Sequence, residues 1–258
     1  MSRAYLDELN SSLRIIDKYP NGKSKELALN KEIINKLSNE KEFWDFFSEL
    51  IFIKKFDLVK GIIKEIEPKV PNKKNDYLDL KINLFKKDIY FEVTQPQINQ
   101  SLKFANGAVG INNKVLSIIN RKIKRQVYNK KTYKEIEKGK RKDIFFLVMD
   151  TSSSAIEEYT ILDTFFGSLT YNWRVNKKTG ELVSFYVARK KDSINYRNKK
   201  SGLISGIIYF KKELVFIKDN PKIILRGDII QNPNAMNKLS KKEIKKLKSI
   251  IFRLPANK

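Results

Sequence analysis

Asp79 and Glu92 are two acids of the 258-residue chain whose surroundings point to chemistry. The stretch "YLDLKINLF" (77–85) alternates apolar and polar residues, as a half-buried strand does. The stretch "DIYFEV" (88–93) is a second strand, stopped by Thr94-Gln95-Pro96. Glutamate is depleted in strands and seldom buried without a partner, so Glu92 among Phe91 and Val93 needs a reason. Pairing the segments through a Lys86-Lys87 link sets Glu92 opposite Lys81 and Thr94 opposite Asp79. Asp79 and Glu92 then become diagonal neighbours on one face, with Asn83 and Tyr90. Leu78, Leu80, Ile82, Leu84, Phe91 and Val93 fall on the core side. Two carboxylates on adjacent strands repel unless a cation lies between them. Oxygen ligands of this kind suit Mg²⁺ or Mn²⁺, which also take phosphate oxygens and can activate water. The alternative is a hairpin with its polar face in solvent, where a Lys81–Glu92 ion pair contributes under about 1 kcal/mol.

Composition narrows the chemistry further. The chain has no histidine and no cysteine. That removes Ser-His and Cys-His nucleophile systems, thiolate metal sites and disulfides. Catalysis must run on carboxylates, lysine, tyrosine or a metal held through oxygen. The balance of 53 Lys+Arg against 29 Asp+Glu leaves a formal charge of +24, which opposes compaction and suits a polyanion. Nucleic acid is therefore the expected partner, DNA before RNA, with a homodimer left open; a lysine-rich compositional bias would raise the same charge. No apolar run is long enough to span a bilayer, and "MSRAYLDELNSS" lacks the apolar core of a secretory signal. The expectation is a cytoplasmic protein without a membrane partner.

The elements that must position the acids follow from periodicity. "AYLDELNSSLRIIDKY", "SKELALNKEIINKLS" and "EFWDFFSELIFIKKF" have helical spacing, the first with Leu6, Leu9, Leu13 and Ile16 on one stripe. The third places Glu42, Asp45 and Glu49 together, away from Phe43, Phe46, Phe47, Leu50 and Ile53. "GIIKEIEP" reads as a strand ahead of the two already described. "INNKVLSIINRKIKRQVYNKK" is a helix, "KDIFFLVMD" a buried strand, and "SSSAIEEYTILDTFFG" a helix closed by Gly167. "ELVSFYVAR", "SGLISGIIYF", "ELVFIK" and "KIILRGDIIQ" are further strands. A final helix opens at a Ser240/Glu243 capping box. The order implies an α/β fold, a mixed sheet flanked by helices. Residues 1–40 form an N-terminal helical segment, and 41–258 one domain with a C-terminal strand and helix extension.

The segment "NDYLDLKINLFKKDIYFEVTQP" resembles the signature of the PD-(D/E)XK nuclease superfamily, whose fold is restriction-endonuclease-like. The family's order of helix, three-stranded meander, helix and strand is similar to that read over Glu42 to Asp150. The resemblance implies a metal-dependent nuclease with Asp79 and Glu92 as ligands. Asp76 is a rival for the first acid, because "NDYL" also resembles the family's "PD" element. Glu49 matches the acid many members carry on the preceding helix. The family's lysine, two residues after the second acid, is replaced by Thr94. In some members that lysine has moved to the next helix, where Lys122 and Gln126 stand one turn apart. Lys124 and Arg125 on the same helix read as phosphate contacts or plain surface. The chain is thus expected to be an active hydrolase with Mg²⁺ or Mn²⁺, a catalytically inactive nucleic-acid-binding protein of the same fold, or a basic assembly protein.

Other features are less directed. Tyr171, Trp173, Tyr186 and Tyr196 interleave with Arg174, Lys177, Lys178, Arg189, Lys190 and Lys191. They suit base stacking and phosphate contact, or amphipathic strands with a wet basic side. Asp150, at a strand's end, either faces a site or caps "SSSAIEE". Arg226-Gly227-Asp228 reads as coincidence.

Overall fold

The computed structural model describes residues 3–16, 18–19, 39–68, 77–96, 115–122, 130–152, 156, 158–191, 193, 199–217 and 220–253. Two helices come first, α1 (Arg3–Ile16) and α2 (Glu40–Asp57). Leu9, Ser12 and Ile15 are the buried residues of α1, and Leu6 faces out, so the inward stripe is rotated from the expected one. α2 buries Phe43, Phe46, Phe47, Leu50, Ile51, Phe52, Ile53 and Phe56, nearly its whole circumference. Asp45 and Glu49 stay half-buried on the remaining edge. The expected helix over 24–38 lies outside the described residues.

A sheet of six strands follows, in the order β1-β2-β3-β4-β7-β8. β1 (Ile63–Ile66), β2 (Leu80–Leu84) and β3 (Lys87–Thr94) form an antiparallel meander. β4 (Ile144–Asp150) and β7 (Gly206–Ile217) run parallel to β3, and β8 (Asn220–Gln231) returns antiparallel to β7. All seven residues of β4 are buried, as expected of a central parallel strand covered on both faces. The segments "SGLISGIIYF" and "ELVFIK" are not two strands. They form a short 3₁₀ turn at Lys199–Leu203 and then one long β7.

Alternation assigns the sheet two covered faces. Leu80, Ile82, Ile89, Phe91, Val93, Phe146, Val148 and Phe210 pack with α1, α2 and the last helix, α6 (Lys241–Ile251). Leu147, Met149 and Ile207 pack with α3 (residues 115–122) through Val115, Leu116 and Ile119, and with α5 (Glu158–Phe166). Tyr90 and Phe145 pack with Ile136 of α4 (Lys130–Glu137), a helix the sequence reading did not separate. α5 starts later than expected but ends at Gly167, whose φ of 85° suits glycine. The Ser240/Glu243 capping box is present in both directions.

A separate ribbon, β5 (Leu169–Val175) and β6 (Leu182–Arg189), belongs to neither face. β5 falls on Tyr171, Trp173 and Arg174, which the sequence allowed as an amphipathic strand. In β8, Gly227 is held against the neighbouring strand so closely that a Cβ would lie 1.8 Å from the Tyr209 carbonyl oxygen. The glycine of Arg226-Gly227-Asp228 is thus a packing requirement.

Candidate active site

The β2–β3 turn sets the site. Leu84 pairs with Lys87, so the two turn residues are Phe85 and Lys86, with φ of 61° and 59°. Two consecutive left-handed residues make the type I′ geometry that suits strand twist, here without the usual Asn-Gly. The expected Lys86-Lys87 link is therefore corrected by one position, which slides the register by two residues. Lys81 pairs with Tyr90 and Leu80 with Phe91. The register stops at Leu80: the Asp79 N–H bonds the Phe91 carbonyl, so Asp79 and Leu80 both stand against Phe91 and Glu92 is the next residue along β3. Thr94 moves away from Asp79. A two-residue slide leaves side chains on their expected faces.

One exception is Leu78. β2 begins only at Leu80, and Asp79 sits in a bend. Leu78 consequently turns to the opposite side of the sheet from Leu80, beside Tyr90 and Phe145. The bend is pinned from both neighbours: the Asp79 N–H donates to the Phe91 carbonyl at 3.1 Å, and its carbonyl accepts from the Glu67 N–H at 3.0 Å. Its side chain then reaches along β3, where Oδ2 accepts the Val93 N–H at 2.5 Å.

Glu92 is buried, 5% exposed, at the centre of the face that α3 covers. Lys122 comes down from α3, and its Nζ donates to Glu92 Oε1 at 2.5 Å. Lys81 does not serve Glu92. It lies 3.4 Å from both Glu65 and Asp88 and over the Tyr90 ring, so the simple cross-strand ion pair is absent.

Electrostatics tie four residues into one group. Burial pushes the Asp79 carboxyl well above the usual carboxylate range, and the nearby charges of Glu92 and Glu49 push it further. Lys122 and the Val93 N–H oppose that shift without cancelling it. Burial alone would lower Lys122, but Glu92, Asp79 and Glu49 outweigh it and hold the ammonium above its ordinary value. Asp79 therefore stands amid an excess of negative charge that a single lysine does not neutralise.

That donor set fits a hard divalent cation: oxygen ligands on neighbouring strands, negative charge in surplus, and a count low enough for the ion to keep waters. Among the described residues no three acids gather closely enough to ligate one ion by themselves. The pair Asp79 and Glu92 is the candidate ligand set, with Glu49 acting at longer range.

The remaining site residues divide clearly. Thr94 is half-buried two residues beyond Glu92, paired with Met149 of β4. Asp76, Lys124, Arg125 and Gln126 lie outside the described residues. Arg174 and Lys190 are exposed on or beside the ribbon. Arg189 is engaged at its base, with Nη1 3.3 Å from Asp163 and 2.6 Å from the Gly167 carbonyl.

Two features were not anticipated. Exposed Lys130, Lys134 and Lys138 repeat at four-residue spacing along α4 and its end, lining an open groove with Lys131, Glu135 and Lys140. α4 packs through Ile136 on Tyr90 and Leu78, so this basic row borders the face that carries Glu92. The second is a buried network behind the site. Asp150 Oδ2 accepts from Lys212 Nζ at 2.7 Å and from Ser48 Oγ at 2.6 Å. Its Oδ1 accepts the Ser152 N–H at 2.8 Å, so Asp150 caps the loop and not α5, which starts at Glu158. Lys212 also lies over the rings of Trp44 and Phe47. Ser48 is one residue before Glu49, and Asp45 accepts the Gln95 N–H at 2.8 Å. α2 is thereby fastened over the ends of β3 and β4, at the position that presents Glu49.

Comparison of the chain with protein-family models, with curated proteins and with solved structures finds no match. No helix among the described residues is long and apolar enough to cross a membrane.

Proposed function

We propose that the chain is a metal-dependent nuclease of restriction-endonuclease-like fold, acting on nucleic acid with DNA before RNA. The observation that carries this reading is the contact of Lys122 with Glu92 beside Asp79. The resemblance stated above implies a lysine near the second acid, and its usual position holds Thr94. An ammonium group arriving from α3 offers the same charge from another element. The antiparallel meander followed by a parallel β4 supports the fold assignment.

In this reading Asp79 and Glu92 hold Mg²⁺ or Mn²⁺, and Glu49 adds negative charge to the site. When bound, the cation supplies Lewis acidity and a more acidic water. Lys122, kept protonated by its neighbours, offsets the charge that builds on the phosphate as water attacks phosphorus. The Thr94 hydroxyl can hydrogen-bond water but carries no charge. The lysine row on α4 supplies phosphate contacts that set register without reading sequence.

A second reading, a nucleic-acid-binding protein without catalysis, is favoured by one detail: Lys122 neutralises a ligand that a cation would use. The two separate by experiment. Plasmid, single-stranded DNA and RNA are incubated with the wild type in Mg²⁺ and in Mn²⁺. Cleavage that is lost in Asp79→Asn and Glu92→Gln supports the nuclease. Intact substrates together with tight, salt-sensitive binding support the inactive binder.

A further inference from the structure

The β5–β6 ribbon presents two unlike faces, and the difference identifies a partner. Directly paired residues of an antiparallel ribbon share a face. Tyr171 pairs with Val187, Trp173 with Phe185, and Val175 with Leu182. These three pairs make one face apolar, Tyr171 stacks on Phe185 with ring centroids 6.3 Å apart, and the pair Leu169–Arg189 ends the same face at its base, where Arg189 is held by Asp163. The other face carries the pairs Thr170–Ala188, Asn172–Tyr186 and Arg174–Ser184. Nothing else among the described elements packs extensively on either strand. Trp173 is 66% exposed, Tyr171 58% and Phe185 57%.

A bare two-stranded ribbon is marginally stable in water, and a contiguous exposed apolar face marks an interaction site. We propose that this face docks on the same face of a second copy of the chain, making a two-fold dimer. The dimer does not depend on the nuclease reading. Nucleic acid or an acidic protein would be drawn to the lysine-rich surface, whereas the charge on this face, Arg189 at its base, is already held by Asp163. A second copy supplies an equally apolar surface of matching length, as an isologous contact requires. The area is adequate. At about 150–250 Å² for each fully buried aromatic, the exposed parts of Tyr171, Trp173 and Phe185 offer about 350 Å². The aliphatic neighbours and strand backbone bring that towards the roughly 800 Å² per partner of a standard interface.

The formal charge of +24 on each copy opposes association, so the dimer has a recognisable salt response. Added salt screens the repulsion and strengthens the dimer, the reverse of its effect on nucleic-acid binding. Sedimentation equilibrium of the full chain, from about 1 to 100 µM, at low salt and at about 0.5 M salt, is the test. The expected result is a dimer favoured by salt, with Trp emission shifting to the blue as concentration rises. Trp173→Asp/Phe185→Asp is expected to be monomeric throughout with unchanged far-ultraviolet circular dichroism. Tyr186→Asp, on the other face, is expected to keep the dimer. Should the double variant not fold, Trp173→Ser reads the same surface through at least a tenfold weaker dimer. A wild type that stays monomeric at every condition overturns the proposal, whatever else the ribbon binds. So does a dimer that the apolar-face variants leave intact.

Discussion

Lys122 Nζ and Glu92 Oε1 stand 2.5 Å apart although one belongs to a helix and the other to a strand 30 residues earlier. The helix covers the sheet face on which Glu92 is buried, and Val115, Leu116 and Ile119 on its inner side fix its height above the strand. Lys122 lies one helical turn beyond Ile119, so its long side chain descends onto the carboxylate. The ammonium beside Glu92 thus comes from a different element than the strand that carries the carboxylate.

Replacing Lys122 by alanine leaves Glu92 buried without that cation. Breaking such a pair costs about 3–5 kcal/mol when both groups are fully buried. Lys122 keeps 19% side-chain exposure, so a loss at the low end of that range is expected in urea denaturation. Cleavage should fall by about 10²-fold or more, as when one preorganised donor is removed. Thr94→Lys, added to Lys122→Ala, should restore at least a tenth of the lost rate, since it returns an ammonium two residues from Glu92. A double variant no better than Lys122→Ala would show that charge at this point is not what matters.

Asp79 has a pH signature with a definite sign. Its folded-state pKa is raised, so the folded chain holds this proton more tightly than the unfolded one. Its contribution to stability is full below the ordinary carboxylate range and is lost as pH rises through the raised value. Asp79→Asn removes the charge and can still accept the Val93 N–H. The variant is expected to melt at least about 2 °C above the wild type at pH 8, with the difference vanishing near pH 4. Divalent cation should raise the melting temperature of the wild type at pH 8 and leave Asp79→Asn unchanged. Equal melting temperatures at pH 8 would contradict the crowding of charge around Asp79.

The lysine row on α4 predicts a change in salt dependence. Each neutralised phosphate contributes about 0.9 to the slope of log K against log salt for duplex DNA. Lys130→Gln/Lys134→Gln/Lys138→Gln should flatten the slope by about 2–3 and weaken binding uniformly across sequences. Fluorescence anisotropy over a salt series measures both, and an unchanged slope removes α4 from the interface.

The network behind the site carries stability. Lys212 and Asp150 have 3% and 0% side-chain exposure, so Lys212→Met strands a buried carboxylate and should cost about 3–5 kcal/mol. Lys212→Met/Asp150→Asn should cost less than Lys212→Met alone, because no charge remains to be stranded. Urea denaturation of the three proteins checks the order.

Much of this was legible in the sequence, and the parts that were not have physical reasons. The alternation of Leu80-Lys81-Ile82-Asn83 and the apolar run of β4 report faces and burial directly, because the strand period of two leaves little freedom. Turn position was another matter. Phe85 and Lys86 adopt left-handed backbone without glycine or asparagine, so "LFKKD" carries no mark of where the chain reverses. Asp79 and Glu92 were expected as neighbours, but where Asp79 stands along β3 depends on that turn and on the bend at Asp79 itself. Lys122 was reachable only through the family resemblance, since helical spacing alone allows a solvated basic face equally well. Lys212 gave no signal: in "YFKKEL" two adjacent lysines look alike, and only the fold decides that one of them is buried on Asp150. β5 was open in the sequence only as one of two readings of Tyr171, Trp173 and Arg174, because aromatics interleaved with basic residues suit base stacking as well as a strand outside the core.

The most direct test is single-turnover cleavage of a supercoiled plasmid by the wild type and by Glu92→Gln, with protein in excess and binding matched. The wild type is expected to convert the plasmid to nicked or linear form only when Mg²⁺ or Mn²⁺ is present. Glu92→Gln should bind equally well yet cut at least about 10²-fold more slowly. Equal rates for the two proteins, or a wild type that leaves the plasmid intact in both cations, would contradict the nuclease reading.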